Sequence, residues 1–159
     1  MAEMFCSRNS SISTGFNSHY IVIFAVLFNQ FNQGKMKIPG SHQTIMPYLI
    51  VDGAEKFIDF TKSVFNAEEI FKTMREDGRT VMHAEIQISG STIMFADTTG
   101  QYKSRPAGLF IYVEDADATF KTAIARGATI VTELSDQDYG RTGGVADPFG
   151  NTWWITSVK

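Results

Sequence analysis

The sequence predicts an α+β domain in which one βαβββ module is used twice. From Gln43 onward, short apolar or alternating stretches recur between turn residues, the pattern of strands. Two further segments, each opened by an acidic residue, carry apolar side chains at helical spacing. The halves also match in sequence. Val51-Asp-Gly-Ala-Glu55 lies over Val113-Glu-Asp-Ala-Asp117, and Phe65-Asn-Ala67 lies over Arg126-Gly-Ala128 after a one-residue gap. A period of about 60 residues is too long for a solenoid unit and reads as a duplicated module.

In the first module, Thr44 to Val51 reads as a strand, with Pro47 marking an edge or rim because it cannot donate to a ladder. Asp52 and Glu55 form a capping-box pattern at a helix start. Ala54, Phe57, Ile58, Thr61, Val64 and Phe65 supply the buried stripe, and Asn66 ends the helix. Glu69 to Arg75 is the next strand, and Glu76-Asp-Gly-Arg79 a hairpin turn whose Asp-Gly supplies positive φ angles. Thr80 to Ser89 and Ser91 to Ala96 are strands joined at Gly90, followed by a polar loop to Gly108.

The second module repeats this order. Leu109 to Val113 is a strand, and Asp115 caps a helix with Ala116, Phe120, Ala123 and Ile124 on its apolar face, closed by Gly127. Thr129 to Leu134, the Gly-rich Tyr139 to Ala146, and Asn151 to Val158 are strands. Asp147-Pro-Phe-Gly150 is the turn before the last of them.

Residues 1–39 read differently and are set apart as an N-terminal extension outside the core fold, leaving 40–159 as the domain, with modules at about 44–97 and 108–158. Ile21 to Phe28 is a continuous apolar run, but a membrane span needs about 20 such residues. A signal peptide is opposed by Glu3 and by the lack of a small-x-small site after Phe28. An extra edge strand, a poorly ordered tail, or a natural start at Met36 remain as readings of this segment.

Composition narrows the function classes. With 43% apolar and 19% charged residues, the chain is too apolar for a disordered one, and its 13 Phe suit strands or an aromatic-lined pocket. A net charge of -3, with no basic stripe, argues against nucleic acid. One cysteine, Cys6, excludes an internal disulfide and thiolate metal clusters, and fits a reducing, cytoplasmic setting.

The joints VDGAEKFIDF and YVEDADATF, the segment VMHAEIQI and the ending YGRTGGVADPFGNTWWI resemble the vicinal oxygen chelate superfamily. That superfamily holds glyoxalase, bleomycin-resistance and extradiol-dioxygenase proteins, and the pattern is most similar to its PhnB-like branch. The resemblance spans about Ile45 to Lys159. It implies that the two modules form a cup-shaped eight-stranded mixed sheet, with helices on the convex face and the ligand or metal inside. One fold of this kind hosts many activities.

Strand alternation then sorts side chains between the two faces. Met82, Ala84, Ile86 and Ile88 share one face of their strand and should meet a helix, while His83, Glu85 and Gln87 share the other. That second face is either solvated, as in many antiparallel sheets, or the cup interior that the resemblance implies. By the same count Met46, Tyr48, Met94, Phe110, Tyr112, Tyr139, Arg141, Thr152 and Trp154 point inward, and Trp153 lies under a helix. Met46, Met94 and Phe110 also read as plain core. Arg141 would either meet a ligand carboxylate or phosphate or pair with Asp136 or Asp138.

Metal-dependent relatives place His, Glu or Gln at four positions, which fall here on Met46, Met94, Gly108 and Trp154. None offers a hard side-chain donor, and a thioether does not select Zn, Ni, Mn or Mg. His83 and Glu85, with Gln87 or Tyr139, are the alternative ligands for a divalent ion or an acid–base pair. No Ser/His/Asp set and no phosphate-binding Gly-rich loop stands out.

The reading is a small-molecule-binding protein without a metal, cytoplasmic and homodimeric, with no membrane or nucleic-acid partner. Tyr48, His83, Glu85, Gln87, Tyr112, Tyr139, Arg141 and Trp154 are its ligand-binding candidates. The alternative is a lyase or isomerase in which His83 is the base and Glu85 orients it. A third reading has the cup plugged by Met46, Met94, Phe110, Tyr112 and Trp154, leaving an interaction module.

Overall fold

A computed structural model describes residues 37–158. The apolar run at 21–28 and Cys6, with the readings made for them, lie outside the described residues. The element order is β1 (Tyr48–Val51), α1 (Ala54–Phe65), β2 (Glu68–Met74), β3 (Val81–Ile88), β4 (Ser91–Asp97), β5 (Gly108–Tyr112), α2 (Ala116–Ala125), β6 (Thr129–Gln137), β7 (Gly140–Ala146) and β8 (Thr152–Ser157). This is βαβββ twice, an α+β fold. The strands form two mixed four-stranded sheets, β1-β4-β3-β2 and β5-β8-β7-β6, and among the described residues no ladder joins them into one eight-stranded sheet. Within each, the first strand runs parallel to the last and the remaining pairs are antiparallel.

The matched positions of the repeat do the same job in each module. Ala54 and Ala116 each begin a helix and are fully buried, since only a small side chain lets the helix start lie so close to its sheet. Asn66 and Gly127 each adopt a left-handed conformation just past a helix, turning the chain back toward the next strand. Ala67 and Ala128, next in line, are both buried.

Each helix covers one face of its own sheet, and the two covered faces share one core. Phe57 packs edge-on against Phe95 of its own sheet and Phe149 of the other module, and Phe65 stacks at 4.4 Å on Trp153. Each such ring contributes about 1.5–3 kcal/mol through burial alone. Trp153 is fully buried under the helices, and its indole N–H donates to Asp147 at 2.9 Å. Asp147 also accepts from the Phe149 and Asn151 backbone N–H groups and the Asn151 amide, which locks the turn before β8. Among the described residues, the opposite face of each sheet carries no helix.

Several local expectations change. β1 starts at Tyr48 rather than Thr44, because Pro47 offers only its carbonyl, to the Met94 N–H, and the chain before it turns aside. Helix α1 is not capped by Asp52 and Glu55. Its N-terminal residue is Gly53 in a left-handed conformation, and Asp97 from β4 accepts the Gly53 and Ala54 N–H groups at 3.0 and 2.8 Å. Glu55 pairs with Lys72 instead. Asp115 does cap α2, accepting from the Ala118 N–H at 2.9 Å. In the β2–β3 turn only Gly78 has a positive φ, while the Asp77 side chain accepts from Arg79 and Thr80. Met82 does not meet a helix. The β2–β3 register slips there, so Val81 turns into the core and Met82 is 48% exposed. Strand β6 runs three residues further than read, to Gln137, on the free edge of its sheet. Among the described residues no helix is long and apolar enough to cross a membrane.

Candidate functional site

The two uncovered sheet faces carry the candidate residues. On the first sheet, ladder pairing sets Tyr48, Met94, Glu85 and Phe71 in one row across β1, β4, β3 and β2. His83 stands one row along, and Gln87 one row the other way, beside Thr92. The Tyr48 and His83 rings stack at 5.7 Å, and the Phe71 ring lies 5.8 Å from the imidazole.

Glu85 is the hub of this face. It is 8% exposed, yet both its oxygens are partnered. His83 Nε2 donates to Oε1 at 3.1 Å, as i to i+2 along one strand face allows. His42 Nε2 donates to Oε2 at 2.8 Å. When its ring is neutral, with Nε2–H on Glu85, His83 presents Nδ1 as acceptor for the Tyr48 hydroxyl at 3.2 Å. Burial pushes the Glu85 carboxyl up, but the hydrogen bonds and charge of His42 and His83 outweigh it, and the net displacement is downward.

His42 lies outside the repeat, where no periodic pattern marks it. It arrives on a segment laid across the start of β4. The Gln43 side-chain amide donates to the Thr92 carbonyl at 2.8 Å and accepts from the Thr92 N–H at 3.1 Å, as a neighbouring strand would. The Thr92 hydroxyl donates to the Ser41 carbonyl. A Gln next to a His before a strand gave no periodic signal; only the fold brings residues 43 and 92 together.

The second sheet presents Phe110, Trp154, Gly144 and Thr132 in one row, and Tyr112, Thr156, Thr142 and Ser135 in the next. Trp154 lies over Gly144, where a Cβ would approach its ring to 2.7 Å. Phe110 and Tyr112 meet edge to face at 5.1 Å. A groove of about 420 Å³ runs along this face, lined by Phe110, Trp154, Tyr139 and the polar side chains of Thr132, Ser135, Gln137 and Thr142. Tyr112 is 64% exposed and Trp154 38%, so these rings do not plug a cup. The structure thus gathers Tyr48, His83, Glu85 and Gln87 on one face, and Tyr112, Tyr139 and Trp154 on another.

Arg141 belongs to neither. It shares its side of β7 with Gly143, which faces Phe120 of α2, and with the fully buried Val145. Its guanidinium reaches back to helix α2 and donates to Asp117 through Nε and Nη2, the latter at 2.7 Å, with Asp136 at 4.0 Å. These hydrogen bonds hold the Asp117 carboxyl below and the guanidinium above their ordinary ranges. Val145 in the same alternation was the signal for this placement.

The ladder register decides which side chains lie beside two of the four positions matched to metal ligands. Met94 stands beside Tyr48, not Met46, and Trp154 stands beside Phe110, not Gly108, because the ladder register fixes lateral neighbours. Tyr48, Met94, Phe110 and Trp154 present a phenol, a thioether and two hydrocarbon-faced rings, which do not fit a hard divalent ion. Among the described residues no group of three His, Cys, Asp or Glu side chains is arranged to hold one.

Residues 41–155 match the family model described as the Glyoxalase/Bleomycin resistance protein/Dioxygenase superfamily. The chain is 38% identical over 133 residues to uncharacterized protein Rv0887c of Mycobacterium tuberculosis (strain ATCC 25618 / H37Rv), covering 76% of this chain and 78% of that one. Its fold is similar to that of a PhnB protein from Bacillus cereus, with a TM-score of 0.59, 21% identity, and coverage of 73% of this chain and 100% of that one. It is also similar to TnmS3, an antibiotic binding protein from Streptomyces sp. CB03234, with a TM-score of 0.56, 19% identity, and coverage of 74% and 100%.

Proposed function

The chain belongs to the glyoxalase/bleomycin resistance/dioxygenase superfamily, and we propose that it is a metal-free protein that binds a small, flat, partly aromatic molecule. The observation that carries this is the cluster of exposed rings Phe110, Trp154 and Tyr112 beside a groove with hydroxyl and amide side chains. Flat apolar faces with a few polar handles suit an aromatic ligand. The antibiotic-binding TnmS3 shares this fold. Tyr48, Met94, Phe110 and Trp154, side by side in the ladders, offer no hard-donor set, which supports binding without a metal.

The homodimer belongs to the same reading. Each sheet spends one face on the shared core and leaves the other, with Tyr48 and Phe71 or Phe110 and Tyr112, exposed. Apolar faces of this kind are covered by partners. A second copy, setting its second sheet opposite the first sheet of its partner, completes a cup on each side. Cytoplasmic placement fits a chain with one cysteine.

The test is a screen of planar aromatic compounds by tryptophan fluorescence, followed by Trp154→Ala and Tyr112→Ala. Affinity should fall at least about tenfold in each while the melting temperature holds. Unchanged affinity in both would end this assignment. A stoichiometric divalent metal in freshly purified protein would overturn the metal-free part, and a monomer by sedimentation the dimer.

A second reading, a lyase or isomerase, is favoured by the Tyr48–His83–Glu85 chain. Glu85 orients His83, but both ring nitrogens are engaged, so the exposed Tyr48 must swing away before Nδ1 can accept a substrate proton. His83→Ala should then abolish turnover of a substrate with an acidic C–H. Retained turnover would exclude this role.

A further inference from the structure

Glu85 is unlike the other buried carboxylates of the described residues. Asp97 and Asp147 each receive backbone N–H groups from the fold around them. Glu85 receives none and is held by two imidazoles. One of them, His83, is on its own strand. The other, His42, belongs to residues 41–43, outside the βαβββ unit.

That short segment is a strap. Its attachment to the sheet is the polar set on Thr92, from Gln43 and Ser41, with the His42–Glu85 contact. Ser41 is exposed, as are Thr44 and Ile45 just after the segment, so among the described residues its hold on the sheet is polar. Segments fastened by a few hydrogen bonds open far more readily than a core strand. When this one lifts, Oε2 of Glu85 is bared at the foot of a wall made by Tyr48, His83 and Phe71. A carboxylate beside aromatic faces is a seat for a planar cation: the charge meets the carboxylate through N–H donors while the ring system stacks.

We propose that His42 is a built-in occupant of a cation-binding subsite at Glu85, and that the ligand of this face carries a planar cationic N–H donor, such as an amidinium, guanidinium or imidazolium on an aromatic ring, which displaces the strap. This rests on the reading of the first sheet's open face as half of the ligand cup. It goes beyond it by naming the group that the ligand presents and the segment that it competes with.

Benzamidine is the probe and neutral benzamide its isostere, titrated into the full chain and followed by NMR or calorimetry. His42→Ala should bind benzamidine at least about tenfold more tightly than the parent protein, the scale of one charge-assisted hydrogen bond no longer contested. Gln43→Ala, which unties the strap and leaves His42 and Glu85 in place, should shift affinity the same way by a smaller factor and serves if His42→Ala folds poorly. Benzamide should show no gain in either variant, and adding Glu85→Gln to His42→Ala should erase the gain for benzamidine. Equal benzamidine affinity in the parent and both strap variants overturns the proposal. So does a gain shared by benzamide, or one that survives Glu85→Gln. In a Trp154→Ala background the ratio of His42→Ala to His42 affinity for benzamidine should persist even where both affinities fall, so failure of the aromatic-ligand reading registers in absolute affinity and failure of the strap in that ratio.

Discussion

Trp154 lies over Gly144 on the neighbouring strand, so close that a Cβ at position 144 would stand 2.7 Å from the ring. The glycine is what allows a tryptophan on the open face to lie along the sheet and form a wall of the groove. Gly144→Ala therefore lifts the indole. The expected cost is about 1–3 kcal/mol in urea unfolding, as for other overpacked positions. Tryptophan emission should shift, since Trp153 is buried and Trp154 reports the open face. An alanine variant with parent stability and spectrum would refute the contact.

Asp97 ties three chain segments together: it accepts from Gly53 and Ala54 at the start of α1 and, at 2.6 Å, from Val81 at the start of β3. Asp97→Ala leaves three backbone donors without a partner. The expected loss is about 3 kcal/mol or more by chemical denaturation. Asp52→Ala, at the position that the sequence pattern offered as the cap, should change stability by less than about 0.5 kcal/mol.

Acid should act through Glu85. Its carboxyl titrates below the ordinary 4.5 in the folded protein. A group with a depressed folded pKa contributes stability that is complete above the unfolded value and is lost as pH falls through the folded one. Melting temperature should therefore decline as pH falls below 4.5, and Glu85→Gln should flatten that limb. An identical acid limb in the variant would remove Glu85 from the account.

Asp77 gives a cleaner local test. Its side chain accepts from the Thr80 hydroxyl and from the Thr80 and Arg79 N–H groups, and these hold its pKa at about 2 against an ordinary 3.8. Thr80→Ala removes the largest of these causes, so the carboxyl resonance of Asp77 should titrate at higher pH in that variant. The stabilisation from this turn is present above 3.8 and fades as pH falls through about 2.

Arg141→Gln should leave ligand affinity unchanged, because the guanidinium is turned onto Asp117 of α2, away from both open faces. A clear loss of affinity would return Arg141 to the site.

The sequence by itself determined the class and the duplication. The helix start at Ala116 under its Asp115 cap, left-handed ends at Asn66 and Gly127, and the opposite facing of Trp153 and Trp154 follow from rules that act within a few residues: capping, φ preference and alternation. Local rules broke where a strand was irregular. The slip at Met82 exchanged it with Val81, and the count through the β7 turn put Arg141 on the wrong side. Tertiary structure alone decided which side chains meet across long separations. It placed Asp97 at the start of α1, Met94 beside Tyr48, Trp154 beside Phe110, and His42 on Glu85. Periodicity is written in consecutive residues, whereas register and the course of a strap are set by hydrogen bonds between residues more than 40 positions apart. Those contacts exist only once both sheets have closed on their shared core.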